Sequence, residues 1–341
     1  MESVAIHALI RADVPVLLWG APGTGKTAWL RAQAALAGAH LEVLIGSTID
    51  PTDVGGLPVP DAEGVVQLSP PPWARRVRDA LQSGRPAWLL LDELSCAPAA
   101  VQAALLRVVY ERKAAGIGLS GCRMVGAANP ADSAADGGWL SPAMAGRWAH
   151  IDWTPDPIAW TTGAITGWGR PLTAAQAAVA ASVVAYIARH TSALLGAPGE
   201  GAWPSPRSWM ATIRGIGALQ GGASAPQAHA VAAACIGSDA ASEWVSWHAA
   251  RDLPDPESIL RGDRWPERGD RILASALAVV AAAASQHPDR EARLGVAASR
   301  IGDLRPDLAI APARALLDVM DHCPDALAGL GRAIRATRGR L

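Results

Sequence analysis

The segment GAPGTGKT, residues 20–27, sets Gly20, Gly25, Lys26 and Thr27 at the spacing G-x-x-x-x-G-K-[ST]. Glycines at such a turn let successive backbone N–H groups point inward, toward anionic oxygens at the start of a helix. Pro22, Gly23 and Thr24 fall inside the same loop and are expected to share its contacts. A lysine at the end of the loop reaches the β- and γ-phosphates of a nucleotide, and the hydroxyl after it ligates Mg²⁺. Lys26 is one of two lysines, with Lys113, among 30 basic residues, so its place in this pattern is a pointed one.

A second group completes the chemistry. The apolar run PAWLLLDE ends in Asp92 and Glu93, and VGAANP ends in Asn129. In open α/β sheets ligands sit beyond the carboxyl ends of the strands, which places all three side chains beside a nucleotide held by the loop. Asp92 is expected to hold Mg²⁺ through its water. Glu93 is expected to orient and polarise the water that attacks the γ-phosphate, and Asn129 to steady it.

The elements that must position these residues are short apolar runs: VPVLLWG, LEVLIGS, AWLLLDE, CRMVGAANP and AHIDW. Continuous rather than alternating apolar strands belong to a sheet covered on both faces, hence to parallel strands with helical crossovers. Residues 1–153 therefore predict a doubly wound α/β domain, in which TAWLRAQAALAG is the helix after the loop. After TPDP, residues 154–157, the β signal fades. Helical patterns then follow one another, separated by LLGAPGEGAWPSP, LPDPES and HPD.

At 341 residues, half of them apolar, the chain has material for two cores. A net charge of −1, with no block of like charge, lacks the footprint of a general nucleic-acid binder. Cys96, Cys122, Cys235 and Cys323 are far apart and form no CxxC pair, which speaks against a zinc site or a disulfide framework and for a reducing, cytoplasmic setting. The start, MESVAIHALIRADVPV, has no basic segment followed by an apolar one and is not a secretory signal. ILASALAVVAAAAS, residues 272–285, falls short of the roughly 20 residues a bilayer requires and reads as a buried helix. His150, His190 and His229 show no ligand spacing and read as structural or surface residues, and Trp203 and Trp209 read as helical core.

The ordered set continues with LSPAMAGRWAHID, which carries Arg147 just before the last strand, and WPSPRSWMATI, in which Arg207 opens a helix. Together with the loop and the carboxylates it resembles the AAA+ ATPases. The stretch APAAVQAALLRVVYERKAAGIGLSGCRMVGAANP resembles their MoxR branch in particular, over roughly residues 1 to 220. The resemblance implies a P-loop core with a parallel sheet of order 5-1-4-3-2 and a helical lid over 154–240; residues 241–341 lie beyond it and read as a helical C-terminal extension of the lid or a docking module. It implies that Asn129 is sensor 1, Arg147 the arginine finger and Arg207 the sensor 2 arginine. DPTDVGGLPVPDAEGVVQLSPPPWAR, residues 50–75, resembles the hairpin insertion of that branch, and KAAGIGLSGCRM a shorter hairpin before sensor 1. Around the finger the branch has an acid before the arginine and Phe after it, whereas Gly146 and Trp148 stand here.

What the resemblance implies about activity is ATP hydrolysis with Mg²⁺ in a subunit ring, usually a hexamer, in which Arg147 reaches the neighbour's γ-phosphate. Such a ring remodels or assembles a client protein, chaperone-like, often through a separate protein bearing a von Willebrand factor A domain. Neither a membrane nor nucleic acid is an expected partner. The alternative from the same residues is a nucleotide-gated assembly scaffold, in which binding rather than repeated turnover matters. A DNA-associated motor fits the neutral charge less well.

Overall fold

The computed structural model describes residues 2–130, 139–168, 170–219, 222–250, 253–285 and 287–320. Cys323 and the remainder of the expected helical extension lie outside the described residues. The chain divides into two units, Met1–Thr154 and Pro155–Leu341.

The first unit begins with α1 (Glu2–Arg11), β1 (Val16–Trp19), α2 (Lys26–Leu36), β2 (His40–Ile45) and α3 (Pro51–Gly55). A hairpin of β3 (Leu57–Pro60) and β4 (Val66–Ser69) leads to α4 (Pro72–Gln82), β5 (Ala87–Asp92) and α5 (Ala99–Leu106). After a second, two-residue-stranded hairpin of β6 (Lys113–Ala114) and β7 (Ile117–Gly118) come β8 (Arg123–Ala128), α6 (Pro142–Ala145) and β9 (Ala149–Asp152). The main sheet has the order β2-β5-β8-β1-β9, with every neighbouring pair parallel. Counting only its five strands, this is the 5-1-4-3-2 order expected from the sequence.

The apolar strands are continuous because both faces are covered. Leu17, Leu89 and Leu91 enter one core cluster, while Val16, Leu18, Trp88 and Leu90 enter the other. Successive side chains of β1 and β5 thus feed opposite layers, as the two-residue period of a strand requires. Each fully buried leucine contributes on the order of 1.5–3 kcal/mol. Gly126 on β8 makes room for this packing, since a Cβ there would lie 2.8 Å from Leu17 Cδ1 and 3.4 Å from the Trp148 ring. Glu42 on β2 is tied to α4 by a two-pronged bond from Arg76, Nε to Oε1 at 2.7 Å and Nη2 to Oε2 at 2.8 Å.

The β3–β4 hairpin carries its apolar residues outward: Leu57, Val59, Val66 and Leu68 are exposed. Its register pairs Pro58 with Leu68 and Pro60 with Val66. Asp61 N donates to Val65 O at 2.9 Å, which fixes the odd-numbered residues of β3 as the hydrogen-bonded set. Pro58 and Pro60 therefore turn their N–H-less nitrogens to the outer edge, while Val66 and Leu68 present theirs on the opposite edge. Gly56, at φ 93°, makes the tight entry to β3, where a Cβ would lie 2.6 Å from Ser69 O.

The second unit is helical among the described residues: α7 (Pro157–Thr166), α8 (Ala174–Arg189), α9 (Pro206–Ile216), α10 (Ala225–Ile236), α11 (Ser238–Ala250), α12 (Pro256–Leu260), α13 (Gly269–Ala284), α14 (Arg290–Gly302) and α15 (Pro306–Val319). Side-chain oxygens of Asp156, Thr173 and Ser205 cap the starts of α7, α8 and α9. The segment read as a buried alanine-rich helix is α13, which packs on α8. Their alanines let the two backbones approach closely. One apolar cluster runs from Trp160 to Met320 without a break near residue 240. Trp209 lies wholly within it, its Nε1 donating to Ala193 O at 2.9 Å. No helix among the described residues is long and apolar enough to cross a membrane.

Candidate nucleotide site

The loop between β1 and α2 is shaped by glycine. Gly23 and Gly25 take φ of 77° and 92°, in the left-handed region that side chains resist. Gly20 is needed for another reason: a Cβ on it would lie 2.6 Å from Trp153 O. The loop is tied down by Gly20 N donating to Ala128 O at 3.2 Å, Thr24 Oγ1 to Ala21 O at 2.8 Å and Trp153 Nε1 to Thr24 O at 3.2 Å. Pro22 lies within this anchored turn. Helix α2 then starts at Gly25 with neither a side-chain cap nor an acidic residue in its first turn. A helix start of this kind, with the positive end of its dipole, suits an anion.

Lys26 is only 7% exposed. Its Nζ donates to Gly20 O at 2.6 Å, Ala21 O at 3.0 Å and Asn129 Oδ1 at 3.0 Å. The ammonium thus lies folded against the loop it serves, and Asn129, at the end of β8, meets it there. Asn129 N in turn donates to Ser95 Oγ at 3.1 Å. Thr27 Oγ1 sits 2.9 Å from both carboxylate oxygens of Asp92, at the end of β5. A hydroxyl and a carboxylate converging from two elements form the hard, all-oxygen donor set that suits Mg²⁺, which completes its shell with water and phosphate.

Glu93 leaves the strand in a left-handed conformation, φ 51°. Its amide donates to Asp92 Oδ1 at 3.0 Å, and its Oε2 accepts from Ser47 Oγ at 2.5 Å. For a residue with a side chain this backbone state costs roughly 1–3 kcal/mol, a cost borne where the site requires the carboxylate turned out of the strand.

The structure therefore gathers Lys26, Thr27, Asp92, Glu93 and Asn129 around one loop. Arg147 stands elsewhere on the same unit. It is exposed, with Nη1 donating to Ala143 O at 2.8 Å and its guanidinium carbon 5.2 Å from the centre of the Tyr110 ring. Arg207 belongs to the second unit, exposed on the first turn of α9. Trp148, which follows Arg147, is buried, with Nε1 toward Met144 Sδ at 3.4 Å, so the aromatic after that arginine is a core residue fitted to Gly126. His150 is structural, with Nδ1 accepting from Trp19 Nε1 at 2.7 Å and Nε2 donating to Ala145 O at 2.9 Å.

Sequence reasoning missed Ser47, Ser95 and Tyr110. Ser47 follows β2, at the same carboxyl end of the sheet as the acids, so the rule that found Asp92 also points to it. Ser95 and Tyr110 carry no such signal.

Residues 15–148 match the model of the AAA domain, dynein-related subfamily. No curated protein matches the chain. Among solved structures, a variant of RuvB from Thermotoga maritima is 14% identical, with 96% of this chain and 85% of that one covered and a TM-score of 0.33. NtrX from Brucella abortus in complex with ADP is 14% identical, with 86% of this chain and 64% of that one covered and a TM-score of 0.39. The family match spans β1 to Trp148, the stretch that holds the loop and four of the five strands of the sheet, and with the strand order it identifies the P-loop AAA+ fold of the first unit.

Proposed function

We propose that this chain is an AAA+ ATP hydrolase similar to the MoxR branch, which turns over ATP in a ring of identical subunits, usually a hexamer, and so remodels or assembles a client protein. The observation that carries the proposal is the convergence of Lys26, Thr27, Asp92, Glu93 and Asn129 on a loop whose following helix has an uncapped start.

In this reading the leading amides of α2 and the loop from Gly20 to Gly25 receive the phosphates. Lys26 exchanges its carbonyl acceptors for phosphate oxygens, and Asn129 is released from it to hold the attacking water. Bound Mg²⁺, held by Thr27 and Asp92, would neutralise charge on the β and γ oxygens. The Glu93 carboxylate, steadied by Ser47, takes a proton from water as its oxygen bonds to the γ-phosphorus and the bond to the leaving ADP oxygen breaks. Arg147, exposed and in contact with Ala143 and Tyr110, serves the site of the neighbouring copy. Arg207 acts from the helical lid of residues 154–240, with 241–341 as its extension. A separate protein with a von Willebrand factor A domain is the kind of partner through which the client is chosen.

The test is a set of single substitutions read by Mg-ATP binding, turnover and ATP-dependent sizing. Glu93→Gln is expected to keep binding and lose at least about 100-fold in turnover, the usual worth of a positioned base. Lys26→Ala is expected to lose binding, and Arg147→Ala to keep binding but lose turnover. Undiminished turnover in Glu93→Gln, or a protein that stays monomeric with ATP, would overturn the proposal.

A further inference from the structure

Between α5 and β6 the chain makes a five-residue π turn, Arg107–Glu111. Such widened turns cluster at functional sites because they cost hydrogen-bond geometry. This one is rigidly mounted. Val108 and Val109 are buried beneath it, Arg107 Nε pairs with Glu111 Oε2 at 3.3 Å across it, and Arg112, at φ 52°, ends it. Arg112 is itself anchored, with Nη1 donating to Cys122 O at 2.9 Å and Nη2 to Asp13 O at 3.2 Å. What this mount holds up is one aromatic ring, Tyr110, 71% exposed and absent from every core cluster.

Arg147 meets that ring. Its backbone is fixed by the buried side chains of Met144 and Trp148 on either side and by its amide donating to Met144 O at 3.1 Å. Its guanidinium has one edge bonded to Ala143 O and its carbon 5.2 Å from the Tyr110 centroid, within cation–π range. An exposed arginine otherwise spreads over many rotamers, and fixing it costs up to about 2 kcal/mol. Here a ring and a carbonyl hold it in place at the surface in advance.

We infer that Tyr110 is the positioning residue for Arg147: a platform that keeps the guanidinium presented for the nucleotide of a second copy of this chain. The inference rests on the proposed role of Arg147 in the neighbour's site. Face contact with the ring leaves the guanidinium's remaining N–H groups directed along its plane, where a phosphate oxygen is bonded. The phenol hydroxyl has no part in this; the ring is what matters.

The experiment measures kcat, KM and Mg-ATP affinity for wild type, Tyr110→Ala, Tyr110→Phe, Arg147→Ala and the Tyr110→Ala/Arg147→Ala double variant, each checked for an unchanged melting temperature. Tyr110→Ala is expected to lower kcat about two- to fivefold, the worth of an exposed cation–π contact, with nucleotide affinity unchanged. Tyr110→Phe is expected to retain the wild-type kcat, and the double variant to match Arg147→Ala alone. Mixing Tyr110→Ala subunits with Lys26→Ala subunits, which bring an intact platform but no working loop, is expected to restore the rate per working site. Tyr110→Ala turning over at or above the wild-type rate, Tyr110→Phe failing like Tyr110→Ala, or a further loss in the double variant each overturns the platform. Arg147→Ala at the full wild-type rate instead overturns the role of Arg147 itself.

Discussion

Gly20→Ala tests whether the loop is as tightly seated as its geometry indicates. The added carbon would lie 2.6 Å from Trp153 O, against an ordinary carbon–oxygen contact of roughly 3.3 Å, so about 0.7 Å of movement is required. Trp153 is poorly placed to yield it: its amide bonds to Trp19 O, its Nε1 to Thr24 O at 3.2 Å, and its ring packs 5.2 Å from that of Trp29. The loop must move instead, and Gly20 O, an acceptor for Lys26 at 2.6 Å, moves with it. Overpacking of this kind costs about 1–3 kcal/mol, which corresponds to a loss of nucleotide affinity of about fivefold to 150-fold if the displaced loop bears it. Titration with a fluorescent ATP analogue, paired with a thermal melt, reads both consequences. Gly118→Ala, where nothing lies within 4 Å of the added carbon, is the matched control and is expected to leave both unchanged. Affinity within twofold of wild type together with an unaltered melt for Gly20→Ala would refute the reasoning.

Two further outcomes follow from contacts described above. Ser47→Ala removes the donor that holds Glu93 Oε2 and is expected to lower kcat about fivefold, the worth of about 1 kcal/mol, at unchanged Mg-ATP affinity; an unaltered kcat would deny Ser47 that part. Burial pushes the Glu42 carboxyl up, but the hydrogen bonds and charges of Arg76 and His40 outweigh it, and its pKa lies below the usual value. Its contribution to stability is then present above the unfolded carboxylate pKa, near 4.3, and lost as pH falls through the lower folded one. Melting curves from pH 6 downward are expected to fall more steeply for wild type than for Glu42→Gln, and parallel curves would remove Glu42 from the acid response.

Much of the first unit was legible because its signals are local. Leu89, Leu90 and Leu91 in a row announce a strand covered on both faces, and the loop from Gly20 to Thr27 must follow a strand and open a helix to work at all. The strand order came through resemblance to a family, since parallel neighbours such as β1 and β8 meet across more than a hundred residues. Trp148 looked like a departure in the sequence and is explained only by the space beside Gly126, a pairing visible in three dimensions. Tyr110 was passed over for a similar reason. A π turn has no sequence signature, and nothing in RVVYERK tells which side chain will be left standing outside or that an arginine just beyond α6 will meet it. In the helical unit the patterns gave helices, but alanine-rich faces such as that of α13 do not encode which helix they will meet.

The hairpin of β3 and β4 shows a different kind of economy. An uncovered apolar ribbon invites other ribbons to zip onto it, and growth into a fibre requires that each unit accept a neighbour on both flanks. Pro58 and Pro60 close one flank, because a newcomer finds no amide hydrogens there to bond. Stacking from this protrusion therefore stops after a single addition beside Val66 and Leu68, and the ribbon stays sticky without becoming a seed.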